Sequence, residues 1–252
     1  EPRCVVSALV VAAGGERAAI VHGEAGLTTE GATVRHADGE ISVRARRVVL
    51  SAGAGNAALI ERAGLAGEVK MQRRSLHMVM VRGTVLPAIY GHCVAGALTD
   101  KPRVTITSQR QANGTIVWYV GGLIAEGDGV ARSHHEQAAF AKRELAACVP
   151  WVDLTGVGMQ WATLRIDRAE GLMPDGSRPD EPVVRSAADG RVVCVWPTKL
   201  AFAPLVAERL CAQFEHEGVR DTGNSGVLSR EPAWPMPPVA PLPWDAEGVA
   251  WD

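Results

Sequence analysis

Residues 48–58 read VVLSAGAGNAA, a short apolar run that passes through a glycine-rich turn into a helix-forming stretch. The apolar run predicts a strand that is buried on both faces. Asn56 is a favourable N-cap for a helix over 56–63, and Gly64 stands where a helix C-cap glycine belongs. A strand, a turn of the form G-x-G-x-x-A and a helix together match the looser version of the dinucleotide-binding fingerprint.

Three interpretations of this turn are open. In the first, the glycines bring the backbone close to the pyrophosphate of NADP, and Arg73 and Arg74 bind its ribose phosphate. In the second, the turn is purely structural, and in the third it contacts a flavin. The acidic residue that normally ends the next strand is missing, and the strands before the turn look antiparallel. Both observations weigh against the NADP interpretation.

The segments before the turn look like short strands. An apolar, β-branched run over 4–11 predicts a first strand, and 18–22 predicts a second. The pair 33–36 and 41–43 flanks the dipeptide Asp38-Gly39, which is a strong signal for a hairpin.

The rest of the chain alternates between strand and helix patterns, which predicts an α/β fold with α+β character. Ser133 and Glu136 have the spacing of a capping box and open a helix that runs to Cys148. Pro204 lies in the first turn of another helix. Further strands are predicted over 72–85, 104–107, 115–124, 159–166 and 192–196.

Composition narrows the possible functions. The 252 residues are 47% hydrophobic and carry a formal net charge of −2, so no basic excess exists to neutralise nucleic acid. No apolar run reaches the roughly 18 residues of a membrane span. The five cysteines are scattered and odd in number, which favours reduced thiols in a cytoplasmic protein. Neither a metal cluster nor a hydrolase nucleophile motif is apparent in the sequence.

Several segments resemble the D-amino-acid-oxidase-like FAD-dependent oxidoreductases. Residues 44–56, RARRVVLSAGAGN, are similar to a late strand of that family, which follows a three-stranded excursion. Residues 72–79 look like the strand that opens the substrate domain. Residues 171–184 and 192–204 resemble the stretch before the final strand, and that strand with its flavin loop and helix. The matches follow the family's order from residue 1 to about 216.

One departure from the family is large, because the G-x-G-x-x-G of its first strand is absent. The resemblance therefore implies the C-terminal part of such an enzyme, and Glu1 in place of Met agrees with a missing start. We expect a partial FAD-binding Rossmann-like domain over 1–66 and 186–217. A substrate-binding domain with a mixed or antiparallel sheet is expected over 67–185, and a Pro/Trp-rich tail over 218–252. An N-terminal FAD-binding segment or chain is the expected partner.

The resemblance also implies which residues contact FAD. They lie in two loops, and we expect the contacts at Ala52, Gly53, Ala54, Pro197, Thr198, Lys199 and Leu200. The N-terminus of the helix near Ala203 would favour negative charge on the flavin, and Lys199 would add a full positive charge. Lys199 is otherwise a solvated loop lysine.

Three residues are candidates for contact with a substrate. An arginine in the position of Arg165 or Arg168 binds the substrate carboxylate in members that oxidise amino acids, and a guanidinium suits that role. The alternative is an ion pair with a nearby acidic residue (Asp167, Glu170 or Asp175). His77 is either a proton acceptor or a hydrogen-bonded core histidine.

The sequence thus predicts FAD-dependent oxidation of a small amino acid, amine, hydroxy acid or alcohol by hydride transfer. One alternative is a non-catalytic module or remnant that completes the flavin site of a partner chain. The other is an NADP-binding protein that uses the turn over 53–58. We expect a small-molecule substrate in the first case, with no nucleic acid and no membrane span.

Overall fold

The computed structural model describes residues 2–13, 20–94, 101–219 and 237–252, which form a mixed α/β fold. The described helices are α1 (Pro2–Ala13), α2 (Asn56–Arg62), α3 (Asp128–Ala131), α4 (His134–Cys148) and α5 (Ala203–His216). The described strands are β1 (Glu24–Thr28), β2 (Gly31–His36), β3 (Gly39–Arg44), β4 (Val48–Leu50), β5 (Met71–Gly83), β6 (Gly91–Cys93), β7 (Val104–Arg110), β8 (Ile116–Gly121), β9 (Gln160–Gly171), β10 (Val183–Ser186) and β11 (Val192–Trp196).

The chain divides into two units, each with its own core. Unit 1 comprises residues 75–167 and 241–252, and unit 2 comprises residues 2–74 and 168–240. The passage from one unit to the other falls inside β5 and again inside β9.

The described part of unit 2 contains two small sheets. In the first, β1, β2 and β3 form an antiparallel meander, and His36 pairs with Gly39 at the turn. The hairpin predicted at Asp38-Gly39 is therefore confirmed. In the second, β11 lies between β10, which is antiparallel to it, and β4, which is parallel to it.

Strand β11 is covered on both faces, because its side chains alternate between two apolar clusters. Val193 and Val195 pack with Val206 of α5. Cys194 and Trp196 point to the other side and share a cluster with Ile60 of α2. The continuous apolar run at 192–196 predicted a buried strand, and its two faces pack against α5 and α2.

The prediction of a strand over 4–11 is wrong, since these residues belong to helix α1. The valines favour a strand only weakly, whereas the alanines and the leucine of this segment favour a helix. Val5 and Leu9 are one helical turn apart, and both side chains are exposed. No residue of α1 is buried within the part of the chain that the structure describes. Of the second predicted strand, over 18–22, residues 20–22 are described and form no strand, whereas 18 and 19 lie outside the described residues.

Unit 1 is built on a five-stranded sheet with the order β6-β7-β8-β5-β9. Strands β5 and β8 are antiparallel, with Val79 opposite Val120, and β7 pairs antiparallel with β8. Helix α4 packs against this sheet through Ala141 and Leu145, which join the core around Trp118. The capping box is confirmed: Ser133 accepts from the Glu136 N–H, and Glu136 accepts from the Ser133 N–H.

The tail is described from residue 237 onward, so Trp234 and the first prolines of the predicted tail lie outside the described residues. Residues 241–252 belong to unit 1. The Trp244 ring lies 6.2 Å from the ring of Tyr119. Trp161 and Asp252 exchange two main-chain hydrogen bonds, so the end of this segment pairs with β9. Among the described residues, no helix has the length and apolar character needed to cross a membrane.

Candidate functional site

The two loops predicted to contact FAD follow neighbouring strands of one sheet in unit 2. Strands β4 and β11 are parallel, and Leu50 stands opposite Cys194. Because the carboxyl ends of parallel strands meet at one edge of a sheet, the loops 52–54 and 197–200 leave from the same edge. Ligands of open α/β sheets bind at this edge.

Asn56 ties these two strand ends together. Its side-chain amide donates to the carbonyl oxygen of Leu50 at 3.2 Å and to that of Val195 at 3.4 Å. Its Oδ1 accepts the N–H of Ala52 at 2.8 Å. Asn56 is the first residue of α2 and is fully buried, so it is not the N-cap that the sequence predicted; Gly55 occupies that position.

The turn over 52–54 presents open backbone. Gly53 has a φ of +57° and begins a short 3₁₀ turn, Gly53–Gly55, that leads into α2. A Cβ on Gly53 would meet no atom within 4 Å. The first N–H groups of a helix have no acceptor inside it, so the N–H groups of Gly53 and Ala54 have no partner within the 3₁₀ turn itself. Arg73 donates to the carbonyl oxygen of Ala54 at 3.1 Å.

The loop over 197–200 has an unusual backbone. Thr198 is a non-glycine residue with a φ of +59°, a region that glycine occupies at no steric cost. Its hydroxyl donates to the carbonyl oxygen of Pro197 at 2.7 Å. Lys199 and Leu200 are exposed, and the Lys199 Nζ lies 5.3 Å from the Phe202 ring centroid.

Two buried side chains lie just before this loop on β11. The Nε1–H of Trp196 is buried and has no hydrogen-bond partner within the described part of the chain. A buried donor without an acceptor is costly, so a group that accepts from this indole would stabilise the site. Burial also raises the pKa of the Cys194 thiol to about 11, which keeps that thiol neutral.

The NADP interpretation loses its structural context. The strand that follows α2 is β5, which lies in the five-stranded sheet and not beside β4. Arg74, a candidate ligand of the ribose phosphate, makes a bidentate pair with the buried Glu170, at 2.8 and 2.9 Å. Burial raises the pKa of Glu170, but hydrogen bonds from Arg74 and Gln72 and the charge of Arg168 outweigh it. The pKa therefore lies below its ordinary value.

His77 lies in unit 1 on β5, where it is 1% exposed. Its Nδ1 lies 3.1 Å from the carbonyl oxygen of Gly129, which can only accept, so Nδ1 carries the hydrogen. Its Nε2 lies 2.9 Å from the hydroxyl of Thr163. Burial lowers the pKa of His77, and the charge of Arg165 lowers it further, so the neutral imidazole is favoured. Nε2 then accepts the Thr163 hydroxyl hydrogen.

Arg165 lies in unit 1 on β9 and holds the same segment as His77. One terminal nitrogen donates to the carbonyl oxygen of Val130, and the other donates to that of Arg132 at 2.5 Å. These bonds fix the guanidinium plane but use two of its five N–H groups. Arg165 lines a cleft of about 280 Å³ together with Ser75, Leu76, Val130, Ile166 and Asp167.

The structure thus brings the predicted residues together in two groups. Ala52, Gly53 and Ala54 share a sheet edge with the 197–200 loop in unit 2, and His77 and Arg165 share the 129–132 segment in unit 1. Arg168 is an exposed residue of unit 2, where its charge helps to lower the pKa of Glu170. Two residues were missed. Asn56 was expected to cap a helix, and Thr163 is a single threonine in a strand that the sequence does not distinguish.

Comparison with known proteins adds a clear relationship. The chain is 48% identical over 203 residues to the probable FAD-dependent oxidoreductase PA4991 of Pseudomonas aeruginosa. The crystal structure of PA4991 matches with a TM-score of 0.70 over 81% of this chain and 53% of that one. This chain is a homologue of a probable FAD-dependent oxidoreductase. The resemblance to such enzymes that the sequence showed is confirmed.

The FAD-dependent oxidoreductase relationship covers part of the relative. The chain spans about half the length of PA4991, 49% of it by sequence. The crystal structure of iminodiacetate oxidase from Chelativorans sp. BNC1 is 14% identical, with a TM-score of 0.41 over 87% of this chain and 54% of that one. No protein-family model matches the chain.

Proposed function

We propose that this chain is the part of an FAD-dependent oxidoreductase that binds the flavin end of FAD and a small substrate. One observation carries the flavin half of the proposal. The loops 52–54 and 197–200 leave the carboxyl ends of two adjacent parallel strands, and the buried side chain of Asn56 joins those strand ends. Relationship to a probable FAD-dependent oxidoreductase at 48% identity supports the same cofactor.

The residues present at this edge fit a flavin. Gly53 offers its backbone N–H with no side chain in front of it. Trp196 has a buried indole N–H without a partner in the described part of unit 2, and it precedes the second loop directly. Ala52, Ala54, Pro197, Thr198 and Leu200 would contribute contacts from the two loops.

When bound, FAD supplies the hydride acceptor. The chain's own contribution is electrostatic. The exposed ammonium of Lys199 and the N–H groups at the start of α5 favour negative charge beside them. The neutral His77 is the proposed proton acceptor in unit 1, at the Nε2 that accepts the Thr163 hydroxyl hydrogen.

The substrate proposal rests on the cleft in unit 1. Arg165 keeps three N–H donors after binding the carbonyl oxygens of Val130 and Arg132, so a carboxylate can be held there. Asp167 lines the same cleft and offers a carboxylate to an ammonium or hydroxyl group. A small amino acid, or a hydroxy acid, carries both kinds of group. Arg168, outside this cleft, is a second candidate carboxylate ligand.

Flavin binding tests the first half of the proposal. The chain is purified alone, and also after co-expression with the half of PA4991 that it does not match. An absorption band near about 450 nm is the signature of oxidised flavin. A band in either preparation supports the proposal, whereas its absence from both contradicts it. A band only after co-expression, with no substrate turnover, would support the module that completes a partner's site.

A pair of glycine variants localises the flavin. Gly53→Leu and Gly64→Leu both place a side chain on a residue with positive φ, +57° and +71°, and both Cβ atoms would enter open space. Backbone strain is therefore matched, but only Gly53 lies in the proposed site. We expect Gly53→Leu to weaken FAD binding at least 10-fold and Gly64→Leu to leave it within twofold. Equal effects would remove the 52–54 loop from the site.

A further inference from the structure

A hydrogen-bonded network of polar side chains runs through unit 1 from the buried His77 to the exposed Asp252. The His77 Nε2 lies 2.9 Å from the Thr163 hydroxyl, and the same hydroxyl lies 2.9 Å from the His134 Nδ1. The His134 Nε2 lies 2.6 Å from the Asp252 Oδ2. The proposed flavin and substrate sites use His77, but they use neither His134 nor Asp252.

The positions of the hydrogens in this network follow from the carbonyl oxygen of Gly129, which can only accept a hydrogen bond. Thr163 has a single hydroxyl hydrogen, and it donates that hydrogen to the His77 Nε2, because Nδ1 of His77 already donates to Gly129. Thr163 must then accept from His134, so Nδ1 of His134 carries a hydrogen. In neutral His134, Nε2 is consequently a lone pair.

That lone pair faces a second acceptor. The carboxylate oxygen of Asp252 stands 2.6 Å from the His134 Nε2, and two acceptors do not approach so closely without a positive charge. Either a proton on Nε2 or a bound cation satisfies the pair. A third possible ligand atom lies nearby, since Nδ1 of His135 is 3.6 Å from the same carboxylate.

We propose that His134, His135 and Asp252 form a site for a divalent transition-metal ion of the zinc class, with Thr163 as the residue that orients His134. The three ligand atoms lie within 4.8 Å of one another. In a tetrahedral zinc site the ligand atoms are about 3.3 Å apart, so the short contact opens slightly and His135 turns inward. His135 is free to do so, because 86% of its side chain is exposed.

The surroundings of His134 have the organisation of a metal ligand. Histidine ligands commonly donate their second ring N–H to a fixed acceptor, which sets the tautomer and the ring plane. Thr163 provides that acceptor, and it is itself held by the buried His77. A bound ion would join the start of α4 to Asp252. The main chain of Asp252 is already hydrogen-bonded to Trp161 of β9.

Zinc titration of the whole chain tests the site. The chain is purified without a polyhistidine tag and titrated with ZnCl₂ in a calorimeter. We expect one zinc per chain, with an affinity that falls at least 10-fold in His134→Ala and in Asp252→Asn. His92→Ala is the matched control, because it removes an exposed histidine of the same unit and leaves the affinity unchanged.

The orienting role of Thr163 has its own comparison. Thr163→Val keeps all three ligands but removes the acceptor for His134, so we expect zinc affinity to fall about 10-fold or more. Thr163→Ser keeps the hydroxyl and restores the affinity. Co²⁺ absorption provides a second readout, with intense visible bands in the wild type that are weak in Thr163→Val.

The outcomes that overturn the proposal are distinct. No zinc binding by the wild type overturns it, as does equal binding by His134→Ala and Asp252→Asn, which would show an adventitious ion only. A loss in just one of these two variants overturns the shared site. Circular dichroism of each variant verifies the fold. Asp252→Asn replaces an exposed side chain with one of the same size, so we expect this variant to fold.

Discussion

Asn56 reaches across 139 positions of sequence to donate to the carbonyl oxygen of Val195, while the same amide group binds Leu50. One buried side chain thereby sets the distance between the ends of β4 and β11. Its third bond, from the Ala52 N–H, fixes the start of the glycine turn. The geometry of both proposed flavin loops depends on this residue.

Asn56→Ala should destabilise the chain by about 3 kcal/mol, because it leaves buried main-chain groups without partners. Urea unfolding measures the loss. Asn113→Ala is the control, since the Asn113 side chain accepts a hydrogen bond from the Thr115 N–H in an exposed turn. We expect the control to cost under about 1 kcal/mol. Similar losses in the two variants would contradict the role assigned to Asn56.

Glu170→Gln should destabilise unit 2 by about 3 kcal/mol, because Arg74 loses a buried carboxylate partner. The comparison variant is Glu181→Gln. It breaks the exposed pair of Glu181 with Arg209, and we expect a loss below about 1 kcal/mol. Chemical unfolding at neutral pH measures the loss of unfolding free energy in each of these two variants.

Glu170 also predicts a pH dependence. Folding lowers its pKa below the ordinary value of 4.5, so the pair contributes stability above that value. The contribution is lost as the pH falls from about 4.5 through the lowered pKa. Stability of the wild type should therefore decline over this range more steeply than that of Glu170→Gln. Parallel declines would show that Glu170 has no part in the acid sensitivity.

Cys194 should resist thiol reagents in the folded chain. Burial raises its pKa to about 11 and also blocks access, whereas Cys211 on α5 is exposed. At pH 8 we expect a maleimide to modify Cys211 at least 100-fold faster than Cys194, as followed by peptide mass spectrometry. Labelling in urea should abolish the difference. Fast modification of Cys194 in the native chain would place its strand at the surface.

Lys199→Ala tests the electrostatic part of the proposed function. Loss of its positive charge beside the flavin should lower the two-electron potential by about 20 mV, the equivalent of about 1 kcal/mol. Lys70→Ala, at another exposed lysine of unit 2, should leave the potential unchanged. The measurement is a dye-coupled reduction of the flavin-loaded protein. An unchanged potential in Lys199→Ala would leave Lys199 as a solvated loop residue.

Much of the fold follows from local rules in the sequence. The turn chemistry of Asp38-Gly39 places a hairpin, and Ser133 with Glu136 places the start of α4. Each of these signals involves neighbours in the chain, so no knowledge of tertiary packing is needed. The helix over 2–13 was missed because its valines favour a strand.

The site was only partly predictable, for a related reason. The two flavin loops were found through family resemblance, and their shared edge follows from the β4–β11 pairing, which no local pattern specifies. The pairing of His134 with Asp252 spans 118 positions. Histidines at the start of a helix and an acid in the tail carry no mutual signal until the fold places them together.

The parallel pairing of β4 with β11 also dictates an order of events on the ribosome. All of residues 75–167, the main segment of unit 1, lies between these two strands in the chain. This segment emerges while β4 still lacks its neighbour, and it contains most of its own core. The 75–167 segment therefore has the opportunity to fold first, as an insertion, and residues 241–252 join it last. The edge that carries both proposed flavin loops closes only when residue 196 has left the exit tunnel.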